Sequence, residues 1–358
     1  MGTRRVGKTV FVDTVRKKYK GETLVLNAED FDVQEMLRDR RVANYKRILG
    51  KASLLIVDEA QVIPEIGKIL KLMIDNIPKL TILATGSSSF DLANKTGDPL
   101  TGRQQQLHLY SLSQSEISRV ETYAETLQNL EERLVFGSYP ELFQLATSQE
   151  KSTYLQQLIQ SYLLKDILSY KGIRQSDKIV KLLRLVAYQA GAEVSYTELA
   201  GQLGISKNTV ENYLDLLAKV FIVYKLSAYS SNMRKEVSKS SKWFFYDNGI
   251  RNAIVNDFRF PALRNDMGML WENYLIAERI KRNEYDRRNV QYYFWRNYNH
   301  QEIDLLEYEN GTITAYEFNY SPTKKTKVPP AFAAAYPNAK FTCISKDNYL
   351  DWLVPEKK

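Results

Sequence analysis

Gly2-Thr3-Arg4-Arg5-Val6-Gly7-Lys8-Thr9 is the stretch of sequence that decides the fold of the first part of this chain. It matches the pattern G-x-x-x-x-G-K-[ST]. In that pattern glycines let backbone N–H groups wrap a phosphate chain, the lysine contacts the β- and γ-phosphates, and the hydroxyl holds magnesium. The candidate nucleotide-binding residues of this loop are Gly2, Arg5, Gly7, Lys8 and Thr9. The pattern also occurs in glycine turns before unrelated helices, so a second motif has to decide.

An apolar strand that ends in two carboxylates supplies this second motif. Leu54-Leu55-Ile56-Val57 is typical of a buried parallel strand, and Asp58-Glu59 follow it directly. At that position Asp58 would bind magnesium through water, and Glu59 would act as the catalytic residue that polarises the attacking water. The two motifs in this order predict a P-loop NTPase domain with ATP and Mg²⁺ as cofactors. Its metal-binding residues would be Thr9 and Asp58.

Two further segments fit such a site less specifically. The strand Thr81-Ile82-Leu83-Ala84 runs into Thr85-Gly86-Ser87-Ser88-Ser89, which places Ser87 where a γ-phosphate sensor would lie. Arg103 could reach the γ-phosphate of its own or a neighbouring subunit, as arginine fingers do. The alternatives are an ordinary serine-rich turn and a solvated surface arginine, and the sequence leaves both open.

Length and composition limit the class of protein. A chain of 358 residues exceeds one ordinary core and favours two or three domains. Its net charge of +8 and pI near 9.1 suit nucleic acid or another polyanion without requiring it. One cysteine and two histidines exclude an internal disulfide and a Cys/His zinc site. With no apolar run near the roughly 18 residues of a membrane span, and no signal core, the predicted location is the cytoplasm without a membrane partner.

The periodicity of apolar residues divides the chain into four segments. Residues 1–115 alternate β-rich runs with helices, as in an α/β domain. Its predicted strands are Thr23–Leu26, Leu54–Val57, Leu80–Leu83 and Gln106–Tyr110. Residues 116–179 carry the i, i+3, i+4 spacing of a helical connector. Residues 180–255 predict a winged helix-turn-helix, and residues 256–358 predict a further α/β domain.

A helix-turn-helix is the clearest motif of the third segment. Ser195-Tyr196-Thr197-Glu198 is a capping box that opens a helix, and Gly204-Ile205-Ser206 leads into a second helix from Lys207. The predicted buried residues of the second helix are Val210, Leu214, Leu217 and Phe221. Its solvent side begins with Lys207 and Asn208, types that could enter a major groove. Winged helices also serve as ATPase lids or protein-docking modules, so DNA and a protein are alternative partners.

In the order of its motifs, the chain resembles a prokaryotic family of AAA+-superfamily ATPases that carry a winged helix and a C-terminal nuclease-like domain. Members typically show a Gly-Pro-Arg-Arg-like loop before Val-Gly-Lys-Thr, a Leu-Asp-Glu-like strand end, a Thr-Gly-Ser-Ser sensor and a Gly-Gly-Tyr-Pro-Glu-like motif. The matching segments here are Gly2 to Thr9, Asp58-Glu59, Thr85 to Ser88 and Gly137-Ser138-Tyr139-Pro140-Glu141. The resemblance spans nearly the whole chain and is compatible with an oligomer.

The last segment resembles the PD-(D/E)xK nuclease fold. Such nucleases hold magnesium with an aspartate and a glutamate on adjacent strands, and a lysine two residues after the glutamate positions the attacking water. Asp304 and Glu317 match these metal-binding carboxylates, and Glu272 matches the acid on the preceding helix. The resemblance therefore implies a metal site at Asp304 and Glu317.

The position of the catalytic lysine departs from that pattern. It is occupied by Asn319, and an amide cannot supply a positive charge. Lys324 and Lys325 are the alternative sources of charge. We expect a nuclease-like scaffold that binds or assembles and does not cleave DNA.

The position of the phosphate loop also departs from its class. A P-loop normally follows a buried strand in the middle of the sheet, whereas here the loop begins at residue 2. We therefore expect an AAA+-like parallel sheet that lacks its first strand, with unpaired neighbours and a less supported loop. A truncated sequence and a degenerate loop are the two explanations.

The leading functional hypothesis is an ATP-binding AAA+-like ATPase that hydrolyses ATP if its site is intact. Its nucleotide state would bias a winged helix and an inactive nuclease-like domain, which act on DNA or a protein partner. The alternative is a nonenzymatic DNA- or protein-binding remnant, favoured by the missing strand and by Asn319. Asp58-Glu59-Ala60-Gln61 mimics a helicase box, but no second RecA-like half follows it in the sequence. A helicase is therefore set aside.

Overall fold

The computed structural model describes residues 1–86, 102–162, 175–230, 241–321 and 326–354. The chain divides into two compact units. The N-terminal unit comprises Met1–Tyr110 and Lys219–Phe221, and the C-terminal unit comprises Ser111–Ala218 and Ile222–Lys358. The boundaries predicted near residues 180 and 256 would subdivide the second unit, and they stay predictions.

A three-stranded parallel sheet forms the centre of the N-terminal unit. Its strands are β1 (Thr23–Asn27), β2 (Leu54–Asp58) and β3 (Thr81–Ala84), in the order β1-β2-β3. The helices are α1 (Lys8–Lys18), α2 (Phe31–Arg38), α3 (Val42–Leu49) and α4 (Ile66–Asn76), with a 3₁₀ turn at Ala60–Val62. Alternate residues of β2 enter two different apolar clusters, because both faces of the central strand are covered. These three predicted strands are confirmed, with ends shifted by at most one residue.

The fourth predicted strand, Gln106–Tyr110, is wrong as a strand. This segment makes one isolated parallel bridge, between Leu109 and Gly2. Leu109 N–H donates to the Met1 carbonyl oxygen at 2.7 Å, and the Met1 ammonium donates to the Leu107 carbonyl oxygen at 2.6 Å. A ladder needs a run of residues on both sides, and within the part of the chain that the structure describes this segment pairs with Met1 and Gly2.

Gly2 joins this segment to the end of β3. Its N–H donates to the Gly86 carbonyl oxygen at 3.4 Å on one side, while its bridge to Leu109 lies on the other. A Cβ at Gly2 would lie 2.1 Å from the Leu109 carbonyl oxygen, so only glycine permits this approach. Among the described residues no strand precedes α1.

One seven-stranded sheet forms the framework of the C-terminal unit. Its strands are β4 (Glu193–Val194), β5 (Val223–Ala228), β6 (Ser241–Phe245), β7 (Gln291–Arg296), β8 (Glu302–Glu309), β9 (Thr312–Phe318) and β10 (Lys340–Ile344). Their order is β10-β9-β8-β7-β5-β6-β4. The sheet is continuous because β5 pairs in parallel with β7, at Ser227 with Tyr293 and at Ala228 with Phe294.

The helices of this part of the chain lie in the predicted connector, the middle segment and the tail. They are α5 (Gln114–Ile117), α6 (Tyr123–Gln128), α7 (Leu130–Phe136), α8 (Ser148–Tyr162), α9 (Ser176–Tyr188), α10 (Tyr196–Leu203), α11 (Lys207–Lys219), α12 (Asn248–Val255), α13 (Met267–Tyr285), α14 (Pro330–Ala335) and α15 (Tyr349–Leu353). Short 3₁₀ turns span Pro140–Gln144 and Pro261–Leu263. The longest described helix, α13, packs its apolar residues into the main core of the unit.

Two helices, α10 and α11, form the predicted helix pair of the middle segment. The Ser195 side chain accepts the Glu198 N–H at 3.3 Å and starts α10, and Gly204 ends it with a φ of 64°. The predicted buried residues Val210, Leu214, Leu217 and Phe221 are all buried. Lys207 and Asn208 are exposed at the start of α11. The predicted division of this helix into a buried and a solvent side is confirmed.

Gly137 marks a close backbone junction in the Gly137-Ser138-Tyr139-Pro140-Glu141 motif. It ends α7 with φ 75° and ψ −157°, a region that is nearly exclusive to glycine. A Cβ here would lie 1.9 Å from Oδ1 of Asp247. That carboxylate is held in place, because it accepts the N–H groups of Ser138 and Gly249, each at 2.9 Å.

Gly137→Ala is expected to lower the free energy of unfolding of the C-terminal unit by about 2–4 kcal/mol, since strain and a clash add together. All four tryptophans lie in this unit, so tryptophan fluorescence during urea unfolding measures it. The matched control is Gly204→Ala, which also has a positive φ but no atom within 4 Å of the new Cβ. Its cost should be about 1 kcal/mol. Equal losses in the two variants would contradict the clash.

Candidate functional site

The phosphate loop leads into α1 through Gly7, whose φ is 93°. Lys8 is the first residue of that helix, and its ammonium donates to the carbonyl oxygens of Gly2 at 3.1 Å and Thr3 at 3.0 Å. These contacts hold the Lys8 side chain across the phosphate loop. Thr9 and Arg5 are exposed, with Arg5 at a φ of 62°. The loop therefore presents a lysine, a hydroxyl and a guanidinium around one backbone turn.

Thr85 ties together the two carboxylates at the end of β2. Its hydroxyl donates to Oδ1 of Asp58 and accepts the Glu59 N–H at 3.2 Å. Its carbonyl oxygen accepts the Ala60 N–H at 2.9 Å. Glu59 itself has a φ of 49°, and its carboxylate accepts a hydrogen bond from the buried side chain of Gln61. Asp58 and Glu59 are thus oriented by side chains from the neighbouring strand end and the following turn.

Contacts also connect the loop with this acidic strand end. Gly2 bonds to Gly86, and Gly86 follows Thr85 directly in the chain. The start of the loop is therefore one residue away from the side chain that holds Asp58. This arrangement brings the phosphate-loop and carboxylate motifs to one edge of the sheet.

The sequence places Thr85 in the sensor segment and Gln61 in the Asp58-Glu59-Ala60-Gln61 motif, but it does not predict their contacts with the carboxylates of Asp58 and Glu59. The signal for Thr85 was the strand register, since Val57 pairs with Ala84 and the next residues on each strand are Asp58 and Thr85. Ser87, the predicted sensor, lies outside the described residues. Its role stays a prediction.

Arg103 lies in an ion pair with Asp75. Asp75 is next to last in α4, about 14 Å along the axis from the first residue of that helix at 1.5 Å per residue. The structure thus places the Arg103 side chain at the C-terminal end of α4. The role of Arg103 toward its own or a neighbouring subunit stays a prediction.

The C-terminal unit gathers a second group of carboxylates, here called the acidic centre, on α13 and β8. It comprises Glu272, Glu302 and Asp304, beside the buried Lys242 of β6. Lys242 Nζ lies 3.6 Å from Oε1 of Glu272 and also contacts Glu302. Oε2 of Glu302 also lies 3.8 Å from Nε of Arg296. The sequence did not single out Lys242, since a lysine within an aromatic strand gives no separate signal.

Electrostatics within the acidic centre are strongly perturbed. Burial raises the pKa of Glu272 to about 8, and the negative charge of Asp304 adds to the effect. Burial opposes the charge of Lys242, but the carboxylates of Glu272 and Glu302 outweigh it and raise the pKa of this lysine. Lys242 therefore stays charged.

The two predicted metal-binding carboxylates of the tail lie on neighbouring strands. Leu305 on β8 pairs with Tyr316 on β9. Asp304 directly precedes Leu305, and Glu317 directly follows Tyr316. One carboxylate oxygen of Asp304 accepts the Phe318 N–H at 2.8 Å. Among the described residues no group of three or more His, Cys, Asp and Glu side chains is arranged to hold a metal ion. The metal site at Asp304 and Glu317 stays a prediction.

The side chain of Asn319 forms hydrogen bonds with neighbouring side chains. Its amide group donates to the Thr326 hydroxyl at 2.8 Å and to the Cys343 sulfur at 3.1 Å. The side chain is largely buried. Lys324 and Lys325, the alternative lysines, lie outside the described residues.

Comparison with known families matches three consecutive parts of the chain. Residues 1–118 match a family described as AAA domain. Residues 127–259 and 267–350 match two families described as domains of unknown function, DUF8612 and DUF4143. The first match supports a P-loop ATPase relationship for the N-terminal part.

Relatives extend over most of the chain. An uncharacterized protein of Mycobacterium tuberculosis is 25% identical over 331 residues, which cover 90% of this chain and 70% of that protein. An uncharacterized protein of Methanocaldococcus jannaschii is 23% identical over 364 residues, covering 96% and 79%. The structure of AMPPCP-bound DnaA from Aquifex aeolicus aligns with 61% of this chain and covers 80% of the DnaA chain. The sequence identity is 16% and the TM-score is 0.27. Within the described residues every helix is too short or too polar to cross a membrane.

Glu272→Gln is expected to change how stability depends on pH. The folded-state pKa of Glu272 is raised from 4.5 to about 8, so between these values the folded chain keeps a proton that the unfolded chain releases. Its contribution is complete below pH 4.5 and is lost as the pH rises through 8. Glutamine stays neutral, so the variant should gain stability relative to the unaltered chain between pH 5 and 8, by at most a few kcal/mol.

Urea unfolding followed by tryptophan fluorescence at three pH values measures this difference. Glu211→Gln on the exposed side of α11 is the control. The charged groups that face Glu272 are Lys242, Glu302 and Asp304, and all remain in the variant. The same stability difference at every pH would contradict the raised pKa.

Proposed function

We propose that this chain is an ATP-binding ATPase of the AAA type, with Mg²⁺–ATP bound by the loop of residues 2–9. The observation that carries the proposal is the hydrogen bond from Gly2 to Gly86, next to Thr85. It sets the phosphate loop beside the side chain that holds Asp58 and the Glu59 N–H. The proposal thus rests on two motifs, 49 residues apart between Thr9 and Asp58, that meet at one edge.

The residues of the loop fit a phosphate group. In α1, all of which the structure describes, the first turn has neither an acidic residue nor a side-chain cap, and an anion would satisfy its N–H groups. Lys8 would exchange its bonds to the Gly2 and Thr3 carbonyl oxygens for phosphate oxygens. Thr9 and Asp58 would hold magnesium, which neutralises phosphate charge when bound.

Glu59 would orient the attacking water. Its carboxylate is held by Gln61, and its N–H by Thr85, so its position depends on the same threonine that orients Asp58. The proposed catalytic step needs only this positioning and the charges of the loop, because the protein does little covalent chemistry in phosphoryl transfer. Arg103 is proposed to act as an arginine finger on the γ-phosphate of its own or a neighbouring subunit.

The C-terminal unit is proposed to respond to the nucleotide and to act on DNA or a protein. The helix pair α10 and α11, with β4, β5 and β6, supports a winged-helix interpretation. Strands β7 to β10 with α13 support a nuclease-like interpretation. The amide of Asn319, bound to Thr326 and Cys343, supports a domain without cleavage activity. The second candidate function, a nonenzymatic binding remnant, is favoured by Asn319 at the position where such nucleases carry a lysine.

Lys8→Ala is expected to weaken ATP binding by about 10- to 100-fold, since a charged contact to phosphate is lost. Glu59→Gln should keep the affinity and lower turnover by about 10²- to 10⁴-fold, because it removes only the orientation of water. Titration with a fluorescent ATP analogue and a phosphate-release assay measure the two effects. Lys18→Ala, an exposed lysine at the other end of α1, is the control.

The three outcomes of this experiment are distinct. Weaker ATP binding by Lys8→Ala, together with unchanged affinity and slower turnover in Glu59→Gln, supports the ATPase. Binding without turnover in the unaltered chain supports the nonenzymatic remnant. No binding to the unaltered chain, or unchanged turnover in Glu59→Gln, contradicts the proposed roles.

Duplex DNA binding is expected to depend on Lys207 and Asn208 at the exposed start of α11. Affinity should fall with rising salt, and removing one phosphate-contacting lysine should reduce the slope of log K against log salt by about 0.9. Fluorescence anisotropy of the Lys207→Ala and Asn208→Ala variants at several salt concentrations measures this. Lys181→Ala, an exposed lysine on α9, is the control. Binding that is equal in all variants would assign α11 to another role.

A further inference from the structure

Lys242 places a buried positive charge among carboxylates from two other elements. Its side chain is 5% exposed, and Glu302 and Glu272 are 30% and 19% exposed. The ammonium also lies 5.3 Å from the centre of the Phe294 ring. A lysine so deeply buried keeps its charge only where neighbouring negative charges stabilise it.

The carboxylates in turn need a cation. Glu272 is only 19% exposed, and an ionised carboxylate is costly at such a site unless a cation lies beside it. The ammonium of Lys242 lies next to Glu272 and Glu302, and its pKa is raised by these two carboxylates and by Asp304. Arg296 supplies a second positive charge at Glu302, while its other contact is Glu193 at 2.9 Å.

The carboxylates of the acidic centre have neighbours besides the ammonium. Gly191 lies over Glu272, and a Cβ there would be 3.4 Å from Oε2 of Glu272 and 3.3 Å from the Phe244 ring. Asp304 also gives one oxygen to the Phe318 N–H. Lys242 itself comes from β6, which pairs with β4 and β5 and not with the strands that carry the carboxylates.

We propose that Lys242 is the resident cation of the acidic centre, that it excludes a divalent metal, and that it ties β6 to α13 and β8. A lysine ammonium is a compact point charge that carries three donors, so it can satisfy several carboxylate oxygens at once. The ladder between β5 and β7 contains only two residue pairs. The ion pairs of Lys242 and Arg296 are therefore a second connection between the two halves of the sheet.

The proposal predicts that removing the lysine charge creates a metal site. Mn²⁺ binding is measured by electron paramagnetic resonance on the full chain without nucleotide, for the unaltered chain and Lys242→Met, Lys242→Arg and Lys242→Met/Asp304→Asn. Lys225→Met is the control, an exposed lysine on the adjacent strand β5. We expect one additional bound Mn²⁺ per chain in Lys242→Met and in no other protein of the set.

Two results overturn the proposal. One is an Mn²⁺ ion that the unaltered chain binds and that a single Asp304→Asn variant, measured beside it, does not bind, because the lysine would then not exclude the metal. The other is a folded Lys242→Met chain without additional Mn²⁺. Tryptophan fluorescence decides which variants are folded.

A second variant keeps the test decisive if Lys242→Met does not fold. Lys242→Gln/Glu302→Gln removes one positive and one negative charge together, and retains Glu272 and Asp304. It is expected to bind the additional Mn²⁺. If this variant also unfolds, added Mn²⁺ should restore its tryptophan fluorescence, and failure to do so contradicts the proposal.

Discussion

Ionised side chains buried away from water are the constraint on which the C-terminal unit depends, because each has to meet an opposite charge inside the fold. Arg279 Nε lies 2.7 Å from Oε1 of Glu307, and Lys281 Nζ lies 2.7 Å from Oε1 of Glu278. All four side chains are at most 7% exposed. Removing one partner of such a pair typically costs about 3–5 kcal/mol, since the other charge is left uncompensated. Helix α13 contributes to both pairs, so charge as well as apolar packing determines its position.

The same constraint explains the junction at Asp247. Burial raises the pKa of this carboxyl, and the Lys281 charge together with hydrogen bonds from surrounding groups acts in the opposite direction. The adjoining cavity has a volume of about 10 Å³, which scarcely admits one water. Protein groups therefore have to approach closely, and Gly137 and Gly249 are the positions where a Cβ would come within 2 Å of another atom. This packing explains why glycine occupies position 137 of the Gly137-Ser138-Tyr139-Pro140-Glu141 motif.

The strands of the N-terminal unit could be predicted because a central parallel strand is covered on both faces and is therefore apolar throughout, as Leu54–Val57 is. Gln106–Tyr110 has the alternation of a strand, yet a strand also needs a partner of sufficient length, and Met1 and Gly2 supply one bridge. The segment's own residues do not contain that information. The same holds for the continuous seven-stranded sheet, since nothing in β5 or β7 alone specifies their two-residue pairing.

Residues of a motif could be assigned to the site from the sequence, whereas the contacts that strand register creates between side chains could not. Lys8 and Asp58 follow from the two motifs, while Thr85 reaches Asp58 only because β2 and β3 are aligned at Val57 and Ala84. Lys242 is a stronger case, since its partners Glu272 and Glu302 lie 30 and 60 residues further along the chain. A carboxylate motif specifies that a cation is needed and does not specify which one. The identity of the cation depends on what the neighbouring strand brings to the carboxylates, and only the three-dimensional arrangement contains that information.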